Sequence, residues 1–488
     1  MKKLTLALCT LVVCLLCSCQ PKEKEIVIVS VNDMHATIDR FPEFAALVDS
    51  LRNVYPNLLV FSGGDNRTGN PVNDQYRPRV NQPIIDLMNE VGFDLSCIGN
   101  HEFDANIDNL NYFVESTHFP VICANAEFAK ELNTNIKPYV FIENQGVKIG
   151  VLGLIQVDAS GIPSAHPRNL FNVKFTHAED MIRNYAFLRN ECDVFLVLSH
   201  CGYEDDCRLT ALMPEADAFI GGHTHTLVRE PKEINGVLVT QSGSHLKYAT
   251  VIKIRVKNHK VISKEAEVID LIKFGKRNQK IAQMVYDYNN SGALDVVIGS
   301  TEKPFSNRQE LGCLMSDAIR YELGADIAYQ NPGGVRIRKL NAGDITLKNL
   351  YELDPFGNEV VKFELTGEQV IEFIKNAIIA DKGAGHVSGI TYKVNILNNR
   401  EKNTFDVSYL EVKNEDGTPF DLNKKYIVVM NSYIASVTHF SGEANGEIIP
   451  ITCSDLTLEY IKKNSPLNYE GIKRVFIERL PDSMNGWD

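Results

Sequence analysis

The sequence has no surplus of positive charge, no internal repeat, no low-complexity tract and, beyond its first nineteen residues, no Cys-x-x-Cys pair. Acidic residues outnumber basic ones by 62 to 50, which leaves a net charge of −12. A chain with that field has no overall attraction for DNA or RNA, so polymeric nucleic acid is excluded as a partner. A small anion is still admissible, through a local site that reverses the field. Long apolar runs are absent too, apart from Leu4 to Leu16, and those thirteen positions are too few to cross a bilayer comfortably. With 44% hydrophobic and 23% charged residues over 488 positions, the composition excludes a disordered, collagenous or multi-span membrane chain and predicts two or three globular domains. Seven cysteines lie beyond residue 19, and an odd, scattered set cannot all pair. Buried free thiols are expected, with Cys201 and Cys207 the pair near enough in sequence to bridge.

The first nineteen residues read as an address. Lys2 and Lys3 precede the apolar run, and Leu16-Cys17-Ser18-Cys19 closes it, the layout of an export signal. The closing residues resemble a bacterial lipobox, which makes Cys19 the lipidated first residue of the mature protein. This predicts an exported lipoprotein anchored to the bacterial envelope, periplasmic or on the outer surface, touching the membrane only through its lipid. The alternative is plain signal cleavage or a short uncleaved anchor. The sequence carries no mark of oligomeric state.

From Glu25 onward short β-rich runs alternate with amphipathic stretches. Ile26-Val27-Ile28-Val29 suits a strand buried on both faces, and Phe44, Leu47, Val48 and Leu51 then recur at helical spacing. Leu58 to Phe61, Val147 to Ile155, Val194 to Leu198 and Ala218 to Ile220 continue the strand series, which predicts an α/β or α+β layered domain. Near residue 270 the pattern changes. Lys276 to Asn289 reads as one helix that connects to a second unit, with helices near Leu314–Leu323 and Gly367–Ile379 and strands near Val360–Leu365 and Tyr426–Met430. The expected division is a signal at 1–19, a first domain at 25–271, a helical linker at 272–292 that permits rotation, and a second domain at 293–488.

Chemistry-bearing residues follow the strands of the first domain: Asp33 and His35 after the first, Gly63-Gly64-Asp65 after the second, then Gly99-Asn100-His101-Glu102-Phe103-Asp104, Ser199-His200, and Gly221-Gly222-His223-Thr224-His225. Each fragment alone is an ordinary turn or exposed pair. Five in order, each after a β-rich run, are not a coincidence, because open sheets gather ligands beyond the carboxyl ends of their strands. Carboxylate and amide oxygens mixed with imidazoles, and no cysteine, suit two divalent ions, with Zn²⁺ or Mn²⁺ favoured and Mg²⁺, Co²⁺ or Fe also admitted.

The series resembles the calcineurin-like metallophosphoesterases, and within them the 5′-nucleotidase family with its separate C-terminal domain, over essentially the whole chain after the signal. The resemblance implies a four-layer metallophosphoesterase sandwich with a second α/β domain for substrate. It implies a first ion on Asp33, His35, Asp65 and His225 and a second on Asp65, Asn100, His200 and His223. Asp65 then bridges ions about 3.5–4 Å apart that polarise a phosphoryl group and activate a water, so no Ser or Cys nucleophile is needed. His101 and Asp104 match the family's dyad, with Asn100 beside it; Asp104 is also placed to cap the following helix. His245 is expected in the outer shell at most.

In the second domain, Asn331-Pro332-Gly333-Gly334-Val335-Arg336 is similar to the family's nucleotide-binding segment, whose paired glycines let the backbone approach a ligand and whose arginine offers a planar fork. Pro355-Phe356-Gly357 resembles the family's base-stacking turn, and Tyr433 is placed to cover the other face of the base. Arg308 lies near another family arginine, with shortened spacing. Family members usually carry Gly-Gly-Asp after the second aromatic; here Ser436-Val437-Thr438-His439 stands instead, without the carboxylate.

The expected function is hydrolysis of nucleoside 5′-monophosphates to nucleoside and phosphate, with a small nucleotide as the only partner. The rivals in the same class are 2′,3′-cyclic-nucleotide phosphodiesterase with 3′-nucleotidase activity and UDP-sugar hydrolysis, which use the same ligands. A catalytically inactive nucleotide-binding lipoprotein is the rival of a different class. It predicts a lost ligand or a lost dyad histidine, and every one of those residues is present.

Overall fold

The computed structural model describes residues 23–77, 79–132, 134–290, 294–381, 383–399, 404–438 and 446–479. The export signal with Cys19, the Ser291-Gly292 end of the connector and His439 lie outside the described residues.

Two six-stranded sheets face each other in the first half of the chain. One runs in the order Lys260–Asp270, Tyr248–Lys257, Lys24–Val31, Leu59–Ser62, Leu95–Cys97, Val121–Ile122. The other runs Lys232–Ile234, Val237–Gln241, Ala218–Gly221, Val194–His200, Val147–Ile155, Tyr139–Asn144. Alternate side chains explain the layering. Ile26 and Ile28 point between the sheets and pack with Phe61, Ile149, Leu196 and Ile220, while Val27, Val29 and Val31 point outward onto Phe41, Phe44, Leu47 and Met88 of helices Phe41–Val54 and Gln82–Val91. On the far side Leu152, Phe195, Val197 and Phe219 pack against Met181, Ile182, Leu209 and Met213. Helix, sheet, sheet and helix make four layers, and the first strand, buried on both faces, is apolar from Ile26 to Val29.

The central strands of each sheet are parallel: Lys24–Val31 pairs with Leu59–Ser62, and Val194–His200 with both Val147–Ile155 and Ala218–Gly221. Their carboxyl ends therefore open on one rim, which is where every motif of the first domain falls. No helix among the described residues is long and apolar enough to cross a membrane.

The second half holds a five-stranded sheet, ordered His386–Ser388, Ile327–Gln330, Lys425–Asn431, Glu359–Thr366, Glu447–Thr452, and a three-stranded sheet of Thr404–Asn414, Ile390–Asn399 and Val475–Arg479. Helix Gly367–Ala380 begins at a capping box in which Thr366 Oγ1 accepts from the Gln369 N–H and Gln369 returns the bond to the Thr366 N–H. All seven cysteines of the described residues are free, Cys201 and Cys207 included.

The helix expected as a connector begins three residues later than its apolar pattern suggested, at Gln279, and runs to Asn289. It is not a free strut. Ile281 and Val285 are buried in the first domain's core, Asn278 donates to Asp49, Tyr288 to Asp86 and Asn289 to Asp39. An amphipathic helix with one apolar face buries that face on the nearest layer, and here that layer is the two-sheet sandwich of the first half.

Asp354, just ahead of Phe356, gives a pH signature to the second half. The residue is 4% exposed, and its carboxylate accepts from the Phe356 N–H at 3.4 Å. Burial, with the charge of Asp455, pushes its pKa up to about 7 from 3.8. The folded state therefore holds a proton that the unfolded chain has released, and stability is lost as pH rises from about 4 to about 7. Thermal unfolding of Asp354→Asn is expected to show a gain over wild type at pH 8, on the order of a few kcal/mol, and little gain at pH 4.

Candidate active site

The ligand-bearing loops are held in a conformation that sequence patterns do not announce. Asp33, His35, Asp65, His223 and His225 all have positive φ, between 48° and 81°. Non-glycine residues seldom adopt that region, and clusters of them belong to sites whose surroundings dictate the backbone. Here the loops bond to one another: the Asp33 N–H donates to Gly64 O, His35 N–H to Asp65 O, and His245 N–H to Asp33 O, at 2.8–3.0 Å.

Glu102 joins two of these loops. Its buried carboxylate accepts the Asn66 N–H on Oε1 and the Gly99 and Asp65 N–H groups on Oε2, at 2.7–3.0 Å. Burial and the neighbouring Asp65 raise its pKa, while the N–H bonds oppose the rise. The close approach also requires glycine. A Cβ on Gly99 would lie 2.2 Å from Asp65 Oδ1, and one on Gly222 would lie 2.5 Å from Gly63 O.

Three overlapping groups place ligand atoms within 4.8 Å of one another: Asp33, His35 and His225; His35, Asp65 and His101; Asp65, His200 and His223. The donors fit divalent ions on two observations. His35 Nε2 and His225 Nε2 face each other at 2.9 Å, with Asp33 Oδ1 3.3 Å from the latter, and two imidazole nitrogens in that position need a shared cation or proton. His35 donates its Nδ1–H to Thr68 O, which leaves its Nε2 lone pair turned inward. His200, fully buried, likewise donates Nδ1–H to Gly63 O, and its Nε2 has no aligned hydrogen-bond partner although Asp65 Oδ2 is 3.1 Å away.

The electrostatics agree. Burial opposes a charge on His200, but Asp65 and Asp33 outweigh it and raise its pKa to about 10. Burial likewise opposes ionisation of Asp65, and His200 and His101 overcome it, holding the carboxyl well below its usual range. Carboxylates that stabilise a proton here stabilise a metal cation in its place. Asn100 adjoins the third group: its Oδ1 is 3.0 Å from His223 Nδ1 and its Nδ2 donates to Ser164 O, which fixes the amide with its oxygen toward the cluster.

His101 stands at the edge of this cluster. Its Nδ1 is 2.6 Å from Asp104 Oδ2, and its Nε2 is 3.9 Å from Asp65 Oδ2. Burial works against an imidazolium, but Asp104 and Asp65 raise the pKa above the ordinary value. Asp104 does not cap the next helix. Asn106 does, accepting from the Asn109 N–H at 2.8 Å, and Asp104 is left to the histidine.

The second half of the chain meets this rim. The Phe356 ring stacks on the His101 ring at 6.2 Å and 25°, and the Arg336 guanidinium lies 5.5 Å over the same Phe356. Burial lowers the Arg336 pKa, against the carboxylates of Asp104 and Asp65 that hold its charge. Arg308 sits with Arg336 and Arg338; burial and those two charges lower its pKa to about 10, and its Nε has no partner. Two further contacts cross between the halves, His166 Nε2 with Ser432 Oγ at 3.1 Å and Arg168 with Glu359 at 2.9 Å.

Known proteins supply the rest. Residues 26–227 match the family profile of calcineurin-like phosphoesterases, and residues 295–440 match that of the 5′-nucleotidase C-terminal domain. The chain belongs to the 5′-nucleotidase family. It is 25% identical to Endonuclease YhcR of Bacillus subtilis over 93% of this chain and 41% of that protein, so it spans less than half of that relative's length. It is 26% identical to Protein UshA of Yersinia enterocolitica over 86% of each. A solved 5′-nucleotidase precursor from Thermus thermophilus shares the fold, with a TM-score of 0.81 at 23% identity over 94% of this chain and 100% of that one. The phosphoesterase profile covers the half of the chain that carries the carboxylate and histidine cluster.

Sequence reasoning passed over several residues of this family member that shape the site. Glu102 lay in plain view inside Gly-Asn-His-Glu, but two of its three backbone donors lie 37 and 36 residues away, on another loop. His245 packs against both His35 and His225, with ring centroids at 5.0 and 5.8 Å, and belongs to none of the three groups. Ser164 acts through its carbonyl, which no side-chain motif reveals.

Proposed function

We propose that the chain hydrolyses nucleoside 5′-monophosphates to nucleoside and phosphate, with residues 25–271 as the catalytic domain and 293–488 as the substrate domain. Asp33, His35, Asp65 and His225 hold one divalent ion, and Asp65, Asn100, His200 and His223 hold another. Two such ions supply Lewis-acid polarisation of the phosphoryl group and a water nucleophile at neutral pH. The observation that carries the reading is the Phe356 ring, which stacks on His101 and has the Arg336 guanidinium over it. An aromatic platform and a guanidinium thereby stand directly beside the carboxylate and histidine cluster.

His101, oriented by Asp104 through Nδ1, turns Nε2 toward the phosphoryl group. It donates a hydrogen bond to a phosphoryl oxygen and a proton to the departing 5′-oxygen. Arg336 and Arg308 carry the positive charge that attracts the phosphate into an otherwise acidic protein. The segment of Asn331, Gly333 and Gly334 lines the nucleoside site, and Phe356 and Tyr433 cover the base. The lipid on Cys19 tethers the enzyme to the envelope.

Phosphate release with Mn²⁺ or Zn²⁺ from AMP, UMP, 3′-AMP, 2′,3′-cyclic AMP and UDP-glucose tests this. A nucleotidase added afterwards reports ring opening and sugar-diphosphate cleavage. Release from AMP and UMP is expected. Cleavage confined to the cyclic or sugar substrates keeps the metal chemistry and overturns the substrate.

A further inference from the structure

The carboxylate that should follow the second aromatic is missing from this chain, yet the structure brings another one to the same pocket from a different element. Asp381 directly follows helix Gly367–Ala380. Its Oδ2 accepts from the Gly333 N–H and from Asn331 Nδ2, both at 3.1 Å. Both donors belong to the segment proposed to face the nucleoside. The space is tight enough that a Cβ on Gly333 would stand 3.3 Å from Asp381 Oδ1.

The contact with Asn331 has consequences further on. An amide side chain has two ends of similar shape and opposite polarity, and only its partners decide which end points where. Asp381, which accepts and cannot donate, takes the Nδ2 end of Asn331. That turns Asn331 Oδ1 to Asn431 Nδ2, 2.7 Å away. Asn431 is then oriented as well, and its Oδ1 accepts the Ile434 N–H at 2.9 Å. That last bond caps helix Ser432–Val437, the helix that carries Tyr433. Asn331 and Asn431 are 3% and 1% exposed, so water does not compete for their polar ends.

We infer that Asp381 is a positioning residue for nucleoside recognition: through the chain Asp381, Asn331, Asn431 it fixes the amides of the glycine segment and the helix start that places Tyr433. It thereby brings a carboxylate to the pocket from which the family's Gly-Gly-Asp is missing. The charge of Asp381 also reaches Arg308, Arg336 and Tyr433, which places it on the pocket side of the sheet. This inference rests on the nucleotidase reading.

The test compares the full-length protein with Asp381→Ala and Asp381→Asn. Binding of adenosine and of uridine to the metal-free proteins is measured by calorimetry. Steady-state kinetics with Mn²⁺ then compare AMP and UMP with p-nitrophenyl phosphate, which has the phosphate but no nucleoside. Asp381→Ala is expected to weaken nucleoside binding at least tenfold, and to lower kcat/KM for nucleotide relative to the phenyl ester at least tenfold, mainly through KM. Asp381→Asn, whose amide oxygen still accepts both bonds, is expected to stay within about threefold of wild type. Should Asp381→Ala not fold, Asn431→Ala cuts the same chain one link later and is expected to give the same selective loss. Wild-type nucleoside affinity in the Ala variant, or an equal loss on nucleotide and phenyl ester, overturns the inference. A wild-type protein that neither binds nucleoside nor prefers nucleotide over phenyl ester overturns the nucleotidase reading itself, and the inference with it.

Discussion

Replacing Asp65 with Ala is expected to strip metal from the protein and to lower phosphoester hydrolysis by about 10³-fold or more, because in the proposed two-ion site Asp65 is the ligand that both ions share. Asp65 is common to two of the three ligand groups, and it is 2% exposed. Its Oδ1 accepts the His101 N–H at 2.9 Å, while its Oδ2 lies 3.1 Å from His200 Nε2. Removal deletes the shared ligand, frees the turn that carries His101, and leaves His200 as a buried imidazole without its strongest counter-charge. In the metal-free protein that last effect is expected to cost about 3–5 kcal/mol of stability, the usual consequence of breaking one side of a buried ion pair. Elemental analysis checks the first point and thermal unfolding in chelator the last. A variant that keeps two ions per chain rules out Asp65 as the bridge.

The second large effect is expected at His101. His101→Ala should lower kcat by about 10²–10³-fold on every good substrate, the range for losing a positioned acid or an electrostatic donor. Asp104→Asn, which keeps the hydrogen bond and removes the charge, should cost less, about tenfold. Metal content decides what His101 does. The ring belongs to a group with His35 and Asp65 that is compact enough to hold an ion. Retention of both ions in His101→Ala supports the donor role, and loss of one makes His101 a ligand instead. Phe356 stacks on the same ring, so a rise in KM for nucleotide but not for a small phenyl ester is expected to accompany the fall in kcat.

The layout of the first domain was legible because it is written in short-range patterns. A strand buried on both faces must be apolar throughout, so Ile26 to Val29 announced itself, and the polar residues just past each strand marked the rim. The helix Gln279–Asn289 was legible as a helix but not in its attachment. Its apolar face predicts that something covers Ile281 and Val285, and only the fold says that the cover is the first domain.

By itself, the sequence determined the first strands and helices in their order, the residue types that gather beyond the strand ends, and the family. Each of these depends on residue identity and local spacing. Tertiary structure decided the rest: which nitrogen of His35 and His200 is turned inward, the left-handed backbone of five residues of the cluster, the carboxylate of Glu102 that ties two loops together, and the arrival of Asp381 beside Asn331. Those features are set by hydrogen bonds between segments tens to hundreds of residues apart. A hydrogen bond is a matter of angstroms and direction, and neither is encoded until the sheets have closed on one another and brought the loops to the same rim.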